Sequence, residues 1–267
     1  MVISYWLLVK SQKKFSEMKK QNLKSIHFNI QSSIISLMSL YLIPTFLSEN
    51  TDVLSTGVLE IVRSLDEFVV ENEKSARHFL KSIHTKIDQD NLVFHLLNEH
   101  TSAKDISLLL ETLKKKKDIG VLSEAGCPAV ADPGAPLVKL AHENNIRVIP
   151  LTGPSSILLA LMASGMNGQS FIFHGYLPRD ITQRRNKISV IEKDALKKDQ
   201  TQIIIETPYR NQQLLNDILK TCSNNTLLCI ACNLTSKEEI VNTRTVIAWK
   251  KQIPDINKKP VIFLIGK

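Results

Sequence analysis

IGVLSEAGCPAVADPG (Ile119–Gly134) and, one helix-like stretch later, RVIPLTGPSS (Arg147–Ser156) decide the fold. Each opens on a short apolar, β-branched run that reads as a buried strand. Each then breaks into glycine, proline and small polar residues before a new helical pattern begins. Between them Ala135–Asn144 reads as a helix, with Pro136 in its first turn and Asn145 as its stop. A strand, a loop and a helix, repeated, is the signature of a parallel sheet with helices on its faces. In the first loop Gly126 and Gly134 permit close backbone approach, Pro128 and Pro133 stiffen the turns, and Glu124 and Asp132 supply charge. Ligands of open α/β sheets bind beyond the carboxyl ends of the strands, where both loops fall. Two rigid loops at neighbouring strand ends predict a preorganised, backbone-lined pocket; as plain βα turns they would carry no function.

The same alternation runs outward. Ser39–Pro44 (SLYLIP), Glu67–Glu71 (EFVVE) and Leu92–Leu97 (LVFHLL) read as strands, and Val53–Leu65, Lys74–Ser82 and Thr101–Lys115 as helices. Ser155–Ala163 is a further helix, capped by Ser155 and ended by Gly165. After Met166–Ser170 the pattern changes. FIFHGYLP (Phe171–Pro178), a basic helix over Thr182–Lys193, a strand at Gln202–Glu206, a helix at Asn211–Thr221 and a strand at Leu227–Cys232 follow. Two more strands are expected near Thr243–Trp249 and Val261–Ile265, with too little helix between them for a purely parallel sheet. The expected organisation is α/β in two domains: residues 38–167 as a parallel α/β domain and 168–267 as a mixed α+β domain. Residues 1–37 are expected to be an extension outside both, with Met38 as the true start.

Composition narrows the field. The chain has 267 residues, 43% apolar and 22% charged, which excludes disordered and disulfide-scaffold classes. No G-x-G-x-x-G and no P-loop pattern occurs. The net charge is +8, but residues 1–37 hold six lysines against Glu17, so the remaining 230 residues carry only +3. That is weak support for a polyanion partner. Cys229 and Cys232 form a C-x-x-C within a strand-like run, where positions i and i+3 face opposite sides, and no second ligand pair accompanies them. Reduced cytosolic thiols and no metal are expected. The lysines follow the apolar run Val2–Val9 rather than precede it, unlike a signal peptide. The charge-free stretch Ser25–Ser48 is only about half apolar, short of what a spanning helix needs. A cytoplasmic protein with no membrane segment is expected.

The run from LSEAGCPAVADPG through LTGPSS to HGYLP resembles the tetrapyrrole methylase superfamily of S-adenosylmethionine-dependent methyltransferases. Within it, the branch that methylates small-subunit ribosomal RNA is the most similar; its loop reads S-D-A-G-T-P-x-x-S-D-P-G, followed by P-G-P-S-A and G-F-L-P. IETPYR (Ile205–Arg210), ACNLT (Ala231–Thr235) and PVIFLIG (Pro260–Gly266) fit the same family's second half. Glu124 stands where the family has Asp, Cys127 where it has Thr, and Ala131 where it has Ser; Phe46–Asn50 lacks the family's glycine. The resemblance implies two α/β domains with the donor S-adenosyl-L-methionine in the cleft between them, in a homodimer. By position it implies a cofactor pocket using Pro44, Ser123, Glu124, Ala125, Gly126, Ser155 and Ser156, with Thr207 and Leu234 from the second domain.

The chemistry of these residue types is compatible. A helix start offers amides to the donor's carboxylate. Glu124 suits the donor's amino group or ribose hydroxyls, or is a solvated turn acid. Methyl transfer from a sulfonium is an in-line displacement that depends on alignment, and a ribose 2′-hydroxyl acceptor also needs a base. Glu124 and His174 are weak candidates, and no catalytic base is assigned. Arg179, Arg184, Arg185 and Lys187 after GYLP, with Tyr209 and Arg210, form a basic and aromatic set for RNA phosphates and a stacked base, or a solvated basic face. The expected function is methylation of a ribose 2′-oxygen of 16S ribosomal RNA. A tetrapyrrole or other small-molecule acceptor, and a donor-binding protein without turnover, are the alternatives.

Overall fold

The structure is a computed structural model that describes residues 38–83, 91–98, 100–113 and 117–267. The expectation for residues 1–37, most of the stretch Ser25–Ser48 and most of the lysine run Lys114–Lys117 lie outside the described residues. Among the described residues, ten strands form two five-stranded sheets.

The first sheet comprises β1 (Ser39–Ile43), β2 (Glu67–Val70), β3 (Val93–Leu96), β4 (Ile119–Leu122) and β5 (Arg147–Pro150), in the order β3-β2-β4-β1-β5. Every pairing is parallel, with Leu40 beside Ile119 and Val148. Both faces are covered, which is why these strands read as continuous apolar runs. On one face α1 (Thr56–Ser64) and α2 (Glu73–Ser82) bring Val58, Val62, Phe79 and Leu80 onto Ile43, Phe68, Val70 and Leu122. On the other, α3 (Ala103–Leu113) and α4 (Ala135–Glu143) bring Ile106, Leu110, Leu137 and Ala141 onto Leu40, Val69, Ile119 and Val121. The helices begin on side-chain caps: Ser55 accepts from the Val58 amide, and Asn72 from those of Lys74 and Ser75.

The second sheet comprises β6 (Phe171–Phe173), β7 (Thr201–Ile205), β8 (Leu227–Cys232), β9 (Ile240–Thr245) and β10 (Val261–Gly266), in the order β6-β7-β10-β8-β9. Only β6 and β7 are parallel; β10 runs antiparallel to β7 and β8, and β9 antiparallel to β8. One face carries α6 (Ile181–Lys198), α7 (Asn211–Thr221) and α8 (Val246–Lys251). The other is covered by α5 (Ser156–Ser164), whose Ala160 and Leu161 pack with Ile203, Cys229 and Leu264. The helix that leaves β5 of the first sheet therefore docks on the second.

Two expectations are corrected. The strand expected near Thr243–Trp249 ends at Thr245, and Val246–Lys251 is helical. The β-branched run TRTVIAW has strand propensity. Here Thr245 caps the Ala248 amide, and the buried Trp249 indole donates to the Leu228 carbonyl at 2.8 Å, which tertiary packing makes decisive. The basic helix runs on to Lys198, five residues past the expected end. The C-x-x-C behaves as its period dictates: Cys229 enters the core under α5 and Cys232 the core under α6 and α7, and both are free thiols.

Candidate active site

The two loops meet the end of β1. Thr45 and Gly126 exchange backbone hydrogen bonds, Thr45 N to Gly126 O at 2.9 Å and Gly126 N to Thr45 O at 3.3 Å. This antiparallel bridge stitches two parallel strands together just past their carboxyl ends. The Thr45 hydroxyl donates to the Ser123 carbonyl at 3.0 Å, and the Ser123 hydroxyl donates to the Gly126 carbonyl. Gly126 has φ +78°, and a Cβ there would press on Leu47 Cδ2 at 3.2 Å. Gly153 lies directly on Pro44: a Cβ at 153 would sit 2.5 Å from the Pro44 Cβ. Asp132 ties the far part of the first loop, its Oδ1 accepting from the amides of Ala129 at 2.9 Å and Gly134 at 2.7 Å. Ala129 and Ala131 are held in the left-handed region at φ 64° and 56°. Non-glycine residues there persist only when their surroundings fix them.

A cavity of about 240 Å³ opens against this loop. Its walls come from both sheets: Glu71 after β2, residues 124–127 and 130–132, Ser155 to Ile157 at the start of α5, and Tyr176 and Ile205 from the second sheet. A recess of about 820 Å³ shares Glu124 and is lined by Thr45, Phe46, Lys74, His78 and Ser123. A third, of about 870 Å³, is lined by Leu47, Ser48, Asn233, Thr235 and Lys237, and shares Ser48 and Glu49 with the second. Ligand sites usually span about 300–1,000 Å³. The small cavity alone is below that range, and a donor of adenosine and amino-acid parts needs an adjoining recess as well.

The electrostatics of the small cavity are unusual. The Glu71 carboxyl is pushed up to about 7, first by burial, then by its hydrogen bond to Asp132 and the charges of Asp132 and Glu124, while the Glu124 amide pulls the other way. Burial also raises Tyr176, helped by Glu206 and Glu71, and raises the Cys127 thiol against a hydrogen bond from Ser155. The first amides of α5, at Ser156 and Ile157, have no intrahelical carbonyl to bond and face an anion favourably. Glu124 for a cationic group and open amides for a carboxylate suit a zwitterionic sulfonium compound. Among the described residues no cluster of His, Cys, Asp and Glu is arranged to hold a metal ion.

The residues read from the sequence fall in different settings. Glu124, Ala125, Gly126, Ser155 and Ser156 line the small cavity, and Ser123 lines the adjoining recess. Pro44 is buried against Gly153 and is not among the residues lining the small cavity or the recess. Thr207 is exposed at a 3-10 turn, with its amide on Glu206, and the Leu234 side chain is in the core beside Leu161. Arg184, expected on a substrate-facing surface, is instead buried: the residue is 1% exposed, and its guanidinium donates to Asp217 Oδ2 at 2.8 and 2.6 Å and to the Pro178 and Arg179 carbonyls. Arg185 shares Asp217 at 2.8 Å, and Arg210 pairs with the buried Glu206. Arg179 and Tyr209 are exposed. His174, with burial lowering its pKa, is bonded to Gln202 Oε1 at 2.7 Å on the β6 edge. Glu71, Asp132 and Tyr176 are the residues that sequence reasoning missed as site members.

Comparison with known proteins agrees with this geometry. Residues 48–248 match the family model described as Tetrapyrrole (Corrin/Porphyrin) Methylases. A "Ribosomal RNA small subunit methyltransferase I" from Buchnera aphidicola subsp. Schizaphis graminum is 30% identical over 229 residues, covering 85% of this chain and 77% of that protein. The protein of that name from Escherichia coli O157:H7 is 28% identical over 238 residues, covering 88% and 80%. Among solved structures, diphthine synthase superposes with TM-score 0.63 over 86% of this chain and 89% of its own, at 15% identity. The methyltransferase CobJ gives 0.58 over 86% and 93%, also at 15% identity, a likeness of fold. The chain is a member of the tetrapyrrole methylase family and an S-adenosylmethionine-dependent methyltransferase.

Proposed function

We propose that this methyltransferase acts on small-subunit ribosomal RNA and places the methyl group on a ribose 2′-oxygen. The observation that carries the reading is the extent of the match to proteins named for small-subunit ribosomal RNA, which reaches 85–88% of the chain. In this reading residues 38–167 and 168–267 are two domains that close on the donor. Ser123 to Gly126 and the α5 start at Ser155 and Ser156 cradle it, and the backbone at Thr207 and Leu234 completes the pocket. The sulfonium supplies an activated methyl group when bound. The chain's part is to align it and to keep the acceptor dry and oriented. Arg179, Arg185, Tyr209 and Arg210 are the RNA-facing set, with Tyr209, 77% exposed, available to stack on a base. Arg184 serves this surface indirectly, through the carbonyls it holds.

We further propose that the protein works in the cytoplasm as a homodimer. Leu158 and Met162, one turn apart on α5 and 52% and 79% exposed, give apolar surface that a second copy would cover. Among the described residues no helix is long and apolar enough to cross a membrane.

The test is methylation of small ribosomal subunits from a strain lacking this gene, with labelled donor and nucleoside mass spectrometry. The expected product is a single 2′-O-methylated nucleoside. Label on a base, or only on a tetrapyrrole or other non-RNA acceptor, would overturn the reading. Donor binding without label on any acceptor in a cell extract would favour a binding protein.

A further inference from the structure

We infer that Glu71 is the catalytic base of this enzyme, taking the proton from the acceptor hydroxyl, with Asp132 as its positioning residue. The inference rests on the ribose reading above and adds the group that reading lacks.

Three features place the role here. Glu71 stands immediately after β2, at the carboxyl end of the parallel sheet, on the wall of the small cavity lined by loop 124–132, the start of α5, Tyr176 and Ile205. Ser155, Ser156 and Tyr176 line the same cavity, so Glu71 shares a crevice with the α5 start proposed to hold the donor. Asp132 is fixed by two backbone amides on one oxygen and bonds Glu71, which restrains the Glu71 carboxyl. His174, the other candidate from the sequence, lies outside that cavity and is bonded to Gln202.

The protonation chemistry follows from the neighbours. Burial first, then the hydrogen bond to Asp132 and the charges of Asp132 and Glu124, favour the proton on Glu71. The groups facing Glu71 are Asp132, Glu124 with its amide, and the Tyr176 hydroxyl. A base that titrates near the working pH combines a usable deprotonated fraction with real basicity. In the step itself the acceptor oxygen forms a bond to the methyl carbon, and the carbon–sulfur bond breaks with its electron pair going to sulfur. The hydroxyl proton moves to a Glu71 carboxylate oxygen while the O–H pair stays on oxygen. Glu71 then releases the proton to solvent, and every charge is accounted for.

The experiment is a single-turnover pH profile, from pH 5.5 to 9, on small subunits with the full-length protein. Wild type, Glu71→Gln, Glu71→Asp and Asp132→Asn are compared, with donor affinity by calorimetry and thermal stability measured alongside. The expected wild-type rate climbs tenfold per pH unit below about 7 and levels above it. Glu71→Gln loses at least a hundredfold in rate and loses the slope, while its donor affinity changes less than threefold. Glu71→Asp restores part of the rate together with the slope. Asp132→Asn moves the midpoint of the profile, which a purely structural role would not do. Stability gives a separate readout of the sign. Glu71 is raised above its ordinary value, so the folded state favours its protonated form and loses stability as pH rises through about 7. Glu71→Gln should therefore melt higher than wild type at pH 8.5 and close to it only at pH 4, below the ordinary carboxyl value. A Glu71→Gln enzyme with near-normal rate and slope would overturn Glu71 alone and leave the RNA reading standing. A wild type that methylates no ribose would overturn both.

Discussion

The two sheets use their charged residues in opposite directions. Around the first sheet, Glu71, Glu124 and Asp132 gather at the strand ends and line a cavity. Around the second, charge is turned inward and consumed. Arg184 and Arg185 converge on Asp217, whose side chain is 3% exposed, and Glu192 is buried against the Ser223 amide and the Thr226 hydroxyl. Parallel strands leave all their carboxyl ends at one edge, so loops with free groups collect there. The mixed sheet splits its strand ends between two edges, and its long helix is anchored by ionic pairs instead. The acids of the first region are thus candidates for chemistry, whereas the buried Arg184, Asp217 and Glu192 of the second are anchors.

The comparison breaks most visibly if the anchors prove dispensable. Asp217→Ala strands two guanidinium groups, one of them fully buried, and should cost about 3–5 kcal/mol in urea unfolding. Replacing the buried pair together, as Arg184→Met with Asp217→Leu, should recover most of that loss. An Asp217→Ala protein as stable as wild type would show that the second region is not held by charge. On the first sheet, Gly126→Val forces a branched residue into a left-handed conformation that costs about 1–3 kcal/mol and pushes Leu47 aside. Donor affinity by calorimetry should fall at least tenfold, and retention of normal affinity would move the donor away from this loop. Ser123→Ala is smaller. The Gly126 carbonyl keeps the Thr45 amide, so the loss should be about 1 kcal/mol by thermal unfolding. The smallest effect is on Cys222. Burial and the Glu192 charge push its thiol up to about 12, so a thiolate-specific reagent at pH 8 should leave it unlabelled until the protein unfolds.

What was legible in the sequence follows from range. Apolar runs and their breaks are local, so Ile119–Leu122 and Arg147–Pro150 are visible as strands, and the glycine–proline loops after them as turns that line a cavity. Ser155 and Gly165 announced both ends of α5. Glu71 looked like the last residue of an apolar run, because its partner Asp132 stands sixty-one positions on, beyond any local pattern. Arg184 looked like part of a solvated basic face for the same reason, its Asp217 being 33 residues away. The Thr243–Trp249 stretch was misread because the cap at Thr245 and the Trp249 indole contact override a β-branched run.

Residues 45–48 are pinned at both ends. Thr45 is fastened to Gly126, and the Ser48 hydroxyl meets the Thr235 hydroxyl of the opposite sheet at 3.0 Å. Between the pins, Phe46 rests on Phe79 with ring centroids 5.0 Å apart, and Leu47 packs with the core around Leu234. Such a segment is a short connecting rod. The sheets cannot part without twisting it, and the twist must lift an aromatic ring from one core or an aliphatic side chain from the other. In the ribosomal RNA reading proposed above, admission of a bulky acceptor has a mechanical gauge in this backbone segment. Deuterium uptake at the Gly126 amide, compared with and without substrate, reads that gauge directly.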